Sequence, residues 1–131
     1  MQRIKNYSFL LPAIMLMAFS CDKTVAPEQT TTIDQKALLF GNSLPADGCG
    51  AHLVIDLNAT NDSGTTVLPT EATRKLFDEA IAAEEAKQAN GFWMTQKLVT
   101  IRYTRTSSTG TLECGWGKKS TVPLVTLTSL Q

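Results

Sequence analysis

Residues Lys97–Thr104 read KLVTIRYT, and every second side chain in this stretch is large and apolar or aromatic. Successive side chains of a β-strand point to opposite faces, so Val99, Ile101 and Tyr103 share one face. The opposite face is mainly polar. This alternation predicts a strand with one buried face and one solvated face, which is typical of antiparallel sheets.

Residues Ala51–Leu57, AHLVIDL, show the same alternation, with Leu53 and Ile55 on the apolar face and His52 on the other. Glycine, asparagine and aspartate flank this stretch, as they flank most strands. Shorter runs that are compatible with strands occur at Lys36–Phe40, Thr65–Leu68, Thr111–Cys114 and Val122–Leu130.

A single helix is predicted at about residues 71–89. It follows Pro69 and Thr70, a residue type that caps helix N-termini, and Asn90-Gly91 is a stop signal. Its apolar stripe consists of Leu76, Phe77, Ala80 and Ile81. Five or six short strands with one inserted helix predict a mainly β (α+β) fold. We expect a small antiparallel OB-like barrel, with the helix between the third and fourth strands, or a curled sheet.

The first 20 residues have the character of a signal peptide. Arg3 and Lys5 precede an apolar run over residues 7–19, which is shorter than the roughly 20 residues of a spanning helix. The run ends in Ser20-Cys21, a small residue directly before a cysteine. This pattern resembles the lipobox of bacterial lipoproteins. A plain secretory signal followed by a coincidental cysteine is the alternative.

The lipobox resemblance implies that cleavage precedes Cys21 and that Cys21 carries the lipid. Residues 21–32 are rich in Thr, Pro, Gln and Glu and are predicted to form a flexible tether. Residues 33–131 have the composition of one small globular domain. We therefore expect a protein that is lipid-anchored in the bacterial cell envelope, at the outer membrane, without a transmembrane helix of its own.

With Cys21 assigned to the lipid, Cys49 and Cys114 remain, an even number in a compartment where disulfides persist. A disulfide between them would close a loop of about 65 residues and contribute roughly 4 kcal/mol in the chain-entropy model. Two alternatives remain open. In the first, Cys49, His52 and Cys114 form a zinc site, because Cys-x-x-His spacing suits zinc. In the second, the two thiols are free or are paired between molecules.

Composition and motifs favour binding over catalysis. The chain has 12 basic and 12 acidic residues, and loss of the first 20 residues leaves a net charge of −2, which argues against nucleic acid as a partner. The stretch Gly115–Thr121, GWGKKST, does not fit the phosphate-binding loop pattern. His52 is the only histidine, and its nearest carboxylates in sequence are Asp47 and Asp56. We expect a surface histidine, and no catalytic residue, metal or cofactor.

Three aromatic residues, Phe92, Trp93 and Trp116, lie beside glycines or near them, outside the alternating stretches. They either cap the core or, where exposed, form a contact surface for a partner or a glycan.

The order of motifs resembles small uncharacterised lipoproteins of Bacteroidota-type envelopes. The motifs are DGCG at 47–50, AHLVID, KLVTIRYT, CGWG at 114–117 and PLVTLTSL at the end. The resemblance implies a small β-barrel domain with a cysteine at both places. The long helix at about 71–89 departs from this family as an insertion. The family carries no activity that can be transferred.

These observations lead to three hypotheses of function. The first is a non-enzymatic, membrane-tethered module that binds a protein or polysaccharide of the envelope. The second is a small inhibitor of a secreted hydrolase, a lysozyme or a protease, that presents a rigid loop at Cys114–Thr121. The third, and the least favoured, is an enzyme that uses His52.

Overall fold

The computed structural model describes residues 30–58 and 64–131. Within these residues the chain forms five strands and one α-helix. Their bounds are β1 Thr32–Phe40, β2 His52–Ile55, β3 Thr65–Pro69, α1 Arg74–Glu85, β4 Gln96–Glu113 and β5 Lys119–Leu130. Two short 3-10 turns, at Leu44–Ala46 and Glu71–Thr73, and a further turn at Gly115–Gly117 complete the described elements.

The strands close into a barrel in the order β1-β2-β3-β5-β4, and β4 pairs with β1 to complete the circle. The helix lies between β3 and β4. The OB-like barrel that the sequence predicts, with its helix between the third and fourth strands, is therefore confirmed. The pairing of β3 with β5 is parallel, whereas the other four pairings are antiparallel. The barrel is therefore mixed, which the prediction of an antiparallel barrel missed.

Strand β4 is longer than the sequence indicated. The predicted strands Lys97–Thr104 and Thr111–Cys114 are two parts of one extended segment, which runs through Gln96–Glu113. The polar residues between them, TSSTG at 106–110, show no apolar alternation. They stay extended because this segment pairs with β5, with a register shift between Arg105 and Thr109 that marks a bulge.

The core lies inside the barrel and under the helix. The predicted apolar face of β4, Val99, Ile101 and Tyr103, is buried there, as are Leu53 and Ile55 of β2. Phe77 and Ile81 of α1 cover one part of this core. Burial of such side chains is the main contribution to the stability of the barrel, at roughly 1.5–3 kcal/mol each.

Helix α1 ends at Glu85, four residues before the predicted end. From Ala86 onward the chain forms turns closed by i→i+3 bonds, such as Lys87 N to Glu84 O at 3.2 Å. Residues 86–91 are all exposed, so no packing favours continuing the α-helix there. Thr70 precedes the helical segment as expected, but its hydroxyl pairs with that of Thr73 at 3.0 Å instead of capping a backbone amide.

The described structure begins at Thr30, and β1 begins at Thr32, one residue before the predicted start of the domain. The predicted signal peptide (residues 1–20), Cys21 and residues 22–29 of the predicted tether lie outside the described residues. In the part of the chain that is described, no helix is both long and apolar enough to cross a membrane.

Candidate binding site

A disulfide joins two loops at one end of the barrel. Cys49 lies in the β1–β2 loop (residues 41–51), and Cys114 begins the β4–β5 turn (residues 114–118). The two cysteines lie 65 positions apart in the sequence, and their sulfur atoms are bonded at 1.97 Å. The predicted disulfide is therefore confirmed. Because each sulfur is bonded to the other, neither is available as a thiolate ligand, and the alternative of a zinc site at Cys49, His52 and Cys114 is wrong.

Backbone contacts hold the same two loops together. Gly50 N donates to Glu113 O at 2.8 Å, and Gly115 N donates to Gly48 O at 2.7 Å. A Cβ atom at Gly115 would lie only 2.5–2.7 Å from backbone atoms of Asp47. Only glycine permits so close an approach. The β4–β5 turn is therefore fixed against the β1–β2 loop by a covalent bond, two hydrogen bonds and tight packing.

A small apolar cluster supports the linked loops from below. Leu68 of β3, Leu112 of β4 and Val122 of β5 are buried together. The half-buried Cys49, Cys114 and Leu124 pack against them. This cluster is separate from the core of the barrel, and it anchors the outer parts of β4 and β5 beneath the turn.

Trp116 lies at the tip of this turn in a left-handed conformation, with φ 60° and ψ 26°. Gly117 follows with φ 70°, and Lys118 N donates to Gly115 O at 3.4 Å. Positive φ at both central positions is the mark of a type I′ turn, where Asn, Asp or Gly is usual. A residue with a Cβ atom costs roughly 1–2 kcal/mol in this region. The side chain of Trp116 is 92% exposed, so burial does not offset this cost.

A cavity of about 320 Å³ lies beside Trp116, which is within the range of small-ligand sites. Leu44 and Asp47 of the β1–β2 loop line it, together with Glu113 and Lys118. Lys119, which also lines the cavity, forms an exposed ion pair with Glu113 at 3.6 Å. The cavity therefore combines one large aromatic surface with charged groups of both signs.

The other two aromatic candidates do not join this site. Trp93 is only 6% exposed and belongs to the core cluster, so the first of its two predicted roles, packing on the core, is correct, and it forms no part of a binding surface. It is buried because its segment packs tightly on Gly41, where the Trp93 carbonyl leaves no room for a Cβ atom. Phe92 is 60% exposed, but it does not line the cavity. Trp116 is therefore the exposed aromatic residue of the site.

His52 lies at the start of β2 on the outward face, as its position in the alternation predicts, and it is half-buried. Its ring stacks on that of Phe40, with centroids 4.6 Å apart and planes 6° apart. Its Nδ1 is 2.7 Å from the carbonyl oxygen of Gly50. Asp56, one of the two carboxylates close to it in sequence, is held by Arg105 instead.

Sequence reasoning did not find the polar cluster around Asp56, which follows β2 with φ 54°. Arg105 Nη2 donates to both carboxylate oxygens of Asp56 at 2.8 Å. Gln35 Nε2 donates to the hydroxyl of Tyr103 at 2.7 Å. The hydrogen bond from Arg105 lowers the pKa of Asp56, and burial raises the pKa of Tyr103. Asp56 and Arg105 lie 49 positions apart in the sequence, and Gln35 and Tyr103 lie 68 positions apart, so no local pattern could have indicated these contacts.

The fold and the site together define a small OB-like barrel that carries an exposed tryptophan on a disulfide-linked turn. No protein-family model, curated protein or solved structure shows a significant match to this chain.

Proposed function

We propose that this chain is a non-enzymatic, lipid-anchored module that binds a polysaccharide of the bacterial envelope at the cavity beside Trp116. The observation that carries this proposal is Trp116 itself. The backbone of this bulky residue is held in an unfavourable conformation. Its side chain is exposed to solvent, so no burial in the fold offsets the cost of that conformation. Uncompensated strain of this kind is concentrated at functional sites.

Three features favour a glycan as the ligand. An exposed indole ring offers a flat apolar surface, and the charged groups around the cavity offer hydrogen-bond donors and acceptors. The loops that form the site join β1 to β2 and β4 to β5, and in OB-folds the corresponding loops bind oligosaccharides or oligonucleotides. This likeness to other OB-folds is one of fold alone. The near-neutral charge of the chain favours the oligosaccharide.

The anchor is part of the proposal, because it places the module in the envelope. It rests on the lipobox-like Ser20-Cys21 of the sequence, and two or more acyl chains hold a protein stably at a membrane. The intact mass of protein extracted from membranes tests it. We expect a chain that begins at Cys21 and carries acyl groups. A chain that begins elsewhere, or one without acyl mass, would show that the anchor is wrong.

Binding is tested by co-sedimentation of the detergent-solubilised full chain with purified peptidoglycan sacculi and, separately, with polysaccharide extracted from the outer membrane and coupled to beads. We expect retention on one of these glycans and at least about tenfold weaker retention for Trp116→Ala. Leu98→Ala is the matched control, since Leu98 is 57% exposed but does not line the cavity. Equal retention of wild type and Trp116→Ala would refute the proposed site.

A second function, inhibition of a secreted hydrolase, is favoured by the shape of the same turn. Trp116 and Gly117 at the tip of the turn are exposed, and the adjacent disulfide braces the turn, so it is suited to insertion into the cleft of a partner. This function predicts stoichiometric inhibition of a lysozyme or a protease by wild type and loss of inhibition in Trp116→Ala. A panel of such enzymes that all remain fully active would remove this candidate.

A further inference from the structure

The imidazole ring of His52 is fixed in place, although no core packing requires it. The Phe40 ring stacks against it, and Nδ1 lies 2.7 Å from the Gly50 carbonyl. A carbonyl oxygen only accepts hydrogen bonds, so Nδ1 carries the proton and donates it. In the neutral ring, Nε2 is then an acceptor.

The surroundings of His52 do not suit catalysis. A catalytic imidazole is usually oriented by a carboxylate, and a nucleophile or substrate proton lies within hydrogen-bond reach of its other nitrogen. Here the Nδ1 partner is a backbone carbonyl, and Arg105 holds Asp56. Among the described residues, no hydrogen bond to Nε2 is formed. A preorganised acceptor without a partner in the fold is suited to contact with a ligand.

His52 and the Trp116 site belong to the same end of the barrel. The β1–β2 loop joins Phe40 to His52, and its Cys49 is bonded to Cys114, with Cα atoms 3.8 Å apart. Cys49 is three residues before His52, and Cys114 is two residues before Trp116. The reach of the chain therefore limits the Cα separation of His52 and Trp116 to about 20 Å. This figure is an upper limit, and an oligosaccharide of several units can reach across any separation within it.

We infer that His52 is a second contact of the ligand, and that its Nε2 accepts a hydrogen bond from a hydroxyl or amide group of an oligosaccharide that extends from Trp116 across the β1–β2 loop. The inference rests on the proposed function and adds to it a second contact, which only a ligand that extends beyond the Trp116 cavity can make. His52 thereby favours ligands that are long enough to reach it from Trp116, while Phe40 and the Gly50 carbonyl hold the imidazole in the accepting orientation.

The test compares a disaccharide with an octasaccharide of β-1,4-linked N-acetylglucosamine, each titrated against the full chain in detergent. We expect wild type to bind the octasaccharide more tightly. His52→Phe keeps a flat ring next to Phe40 but removes the acceptor, and it should lose about five- to tenfold in affinity for the octasaccharide only. His52→Gln, which retains an acceptor oxygen, should lose less. Thermal unfolding of both variants verifies that they are folded.

The outcomes separate the two proposals. If His52→Phe and His52→Gln both bind the octasaccharide as wild type does, while Trp116→Ala does not, the role of His52 is refuted and the glycan site stands. Equal affinity of wild type for the two oligosaccharides also refutes the extended contact. If neither oligosaccharide binds to wild type and no envelope glycan retains it, the proposed function itself fails, and the role of His52 fails with it.

Discussion

Among the described residues, three other than glycine adopt the left-handed conformation, Asp47, Asp56 and Trp116, and the last two differ in what offsets its cost. Asp56, at the end of β2, has φ 54°, and Trp116, in the β4–β5 turn, has φ 60°. Asp56 receives two hydrogen bonds from Arg105 and one from Gln35. Trp116 is 92% exposed. Aspartate also tolerates this conformation better than a bulky residue does.

At the end of β2 the strained backbone serves the fold, whereas in the β4–β5 turn no contact of the Trp116 side chain offsets the strain. At the Asp56 cluster, the strained backbone aims a carboxylate at an arginine on a neighbouring part of the barrel, so the contacts offset the strain. At the β4–β5 turn, the disulfide and the backbone hydrogen bonds stabilise the loops, but none of these contacts involves the indole. The position of Trp116 therefore supports the proposed role in binding.

The largest effect is expected at the disulfide. Replacement of both cysteines, Cys49→Ser with Cys114→Ser, should lower the free energy of unfolding by about 4 kcal/mol, because the unfolded chain regains the freedom of a long loop. Urea unfolding measures this, and wild type in the presence of a thiol reductant serves as the control. A loss below about 1 kcal/mol would show that the linked loops contribute little to the fold.

A smaller effect is expected at the Asp56 cluster. Asp56→Ala should cost about 1–2 kcal/mol, since it removes a partly exposed ion pair and leaves a residue that disfavours positive φ. Asp56→Gly removes the same ion pair but relieves the backbone, so it should cost less. Urea unfolding of the two variants checks this, and we expect a higher midpoint for Asp56→Gly than for Asp56→Ala. If alanine and glycine have equal effects, the strain at this position is negligible.

The pH dependence of stability tests the same ion pair. Arg105 lowers the pKa of Asp56 below its ordinary value of 3.8 in the folded chain. The pair therefore stabilises the fold fully above that value, and this contribution is lost as the pH falls through the lower pKa of the folded state. Between about pH 5 and pH 2, wild type should lose more stability than Asp56→Asn. If the free energy of unfolding falls equally with pH in wild type and in Asp56→Asn, the ion pair does not contribute to stability as described.

The smallest effect on stability is expected at Trp116. Asparagine adopts positive φ more readily than tryptophan does, so Trp116→Asn should raise the free energy of unfolding by a few tenths of a kcal/mol. Thermal and urea unfolding measure the change, with Leu98→Asn as an exposed control outside the turn. A clear loss of stability would mean that the indole packs against the fold, and the contrast with Asp56 would disappear.

Much of the fold is predictable from local patterns. The alternation at Ala51–Leu57 and Lys97–Thr104 correctly assigned the buried face of each strand, and the apolar stripe of the helix identified the residues that pack on the core. The segment 106–110 could not be assigned, because its extended form depends on pairing with β5. The parallel pairing of β3 with β5 likewise results from closure of the barrel.

The site was predictable only in part. The count of cysteines led to the disulfide between Cys49 and Cys114, and glycines around Trp116 indicated a turn. The sequence did not distinguish the two tryptophans, since both stand near glycines. The burial of Trp93 depends on Gly41, which is distant in sequence. The exposure of Trp116 depends on a turn that directs its side chain away from the barrel.

The most direct test of the central claim is acrylamide quenching of tryptophan fluorescence in the full chain, with and without glycan strands released from peptidoglycan sacculi or polysaccharide from the outer membrane. Only Trp116 is accessible to the quencher, since Trp93 is 6% exposed. Trp116→Phe should lack the accessible component. We expect a binding glycan to protect this component from quenching. Unchanged quenching by acrylamide while the glycan is bound would contradict the assignment of Trp116 as the binding residue.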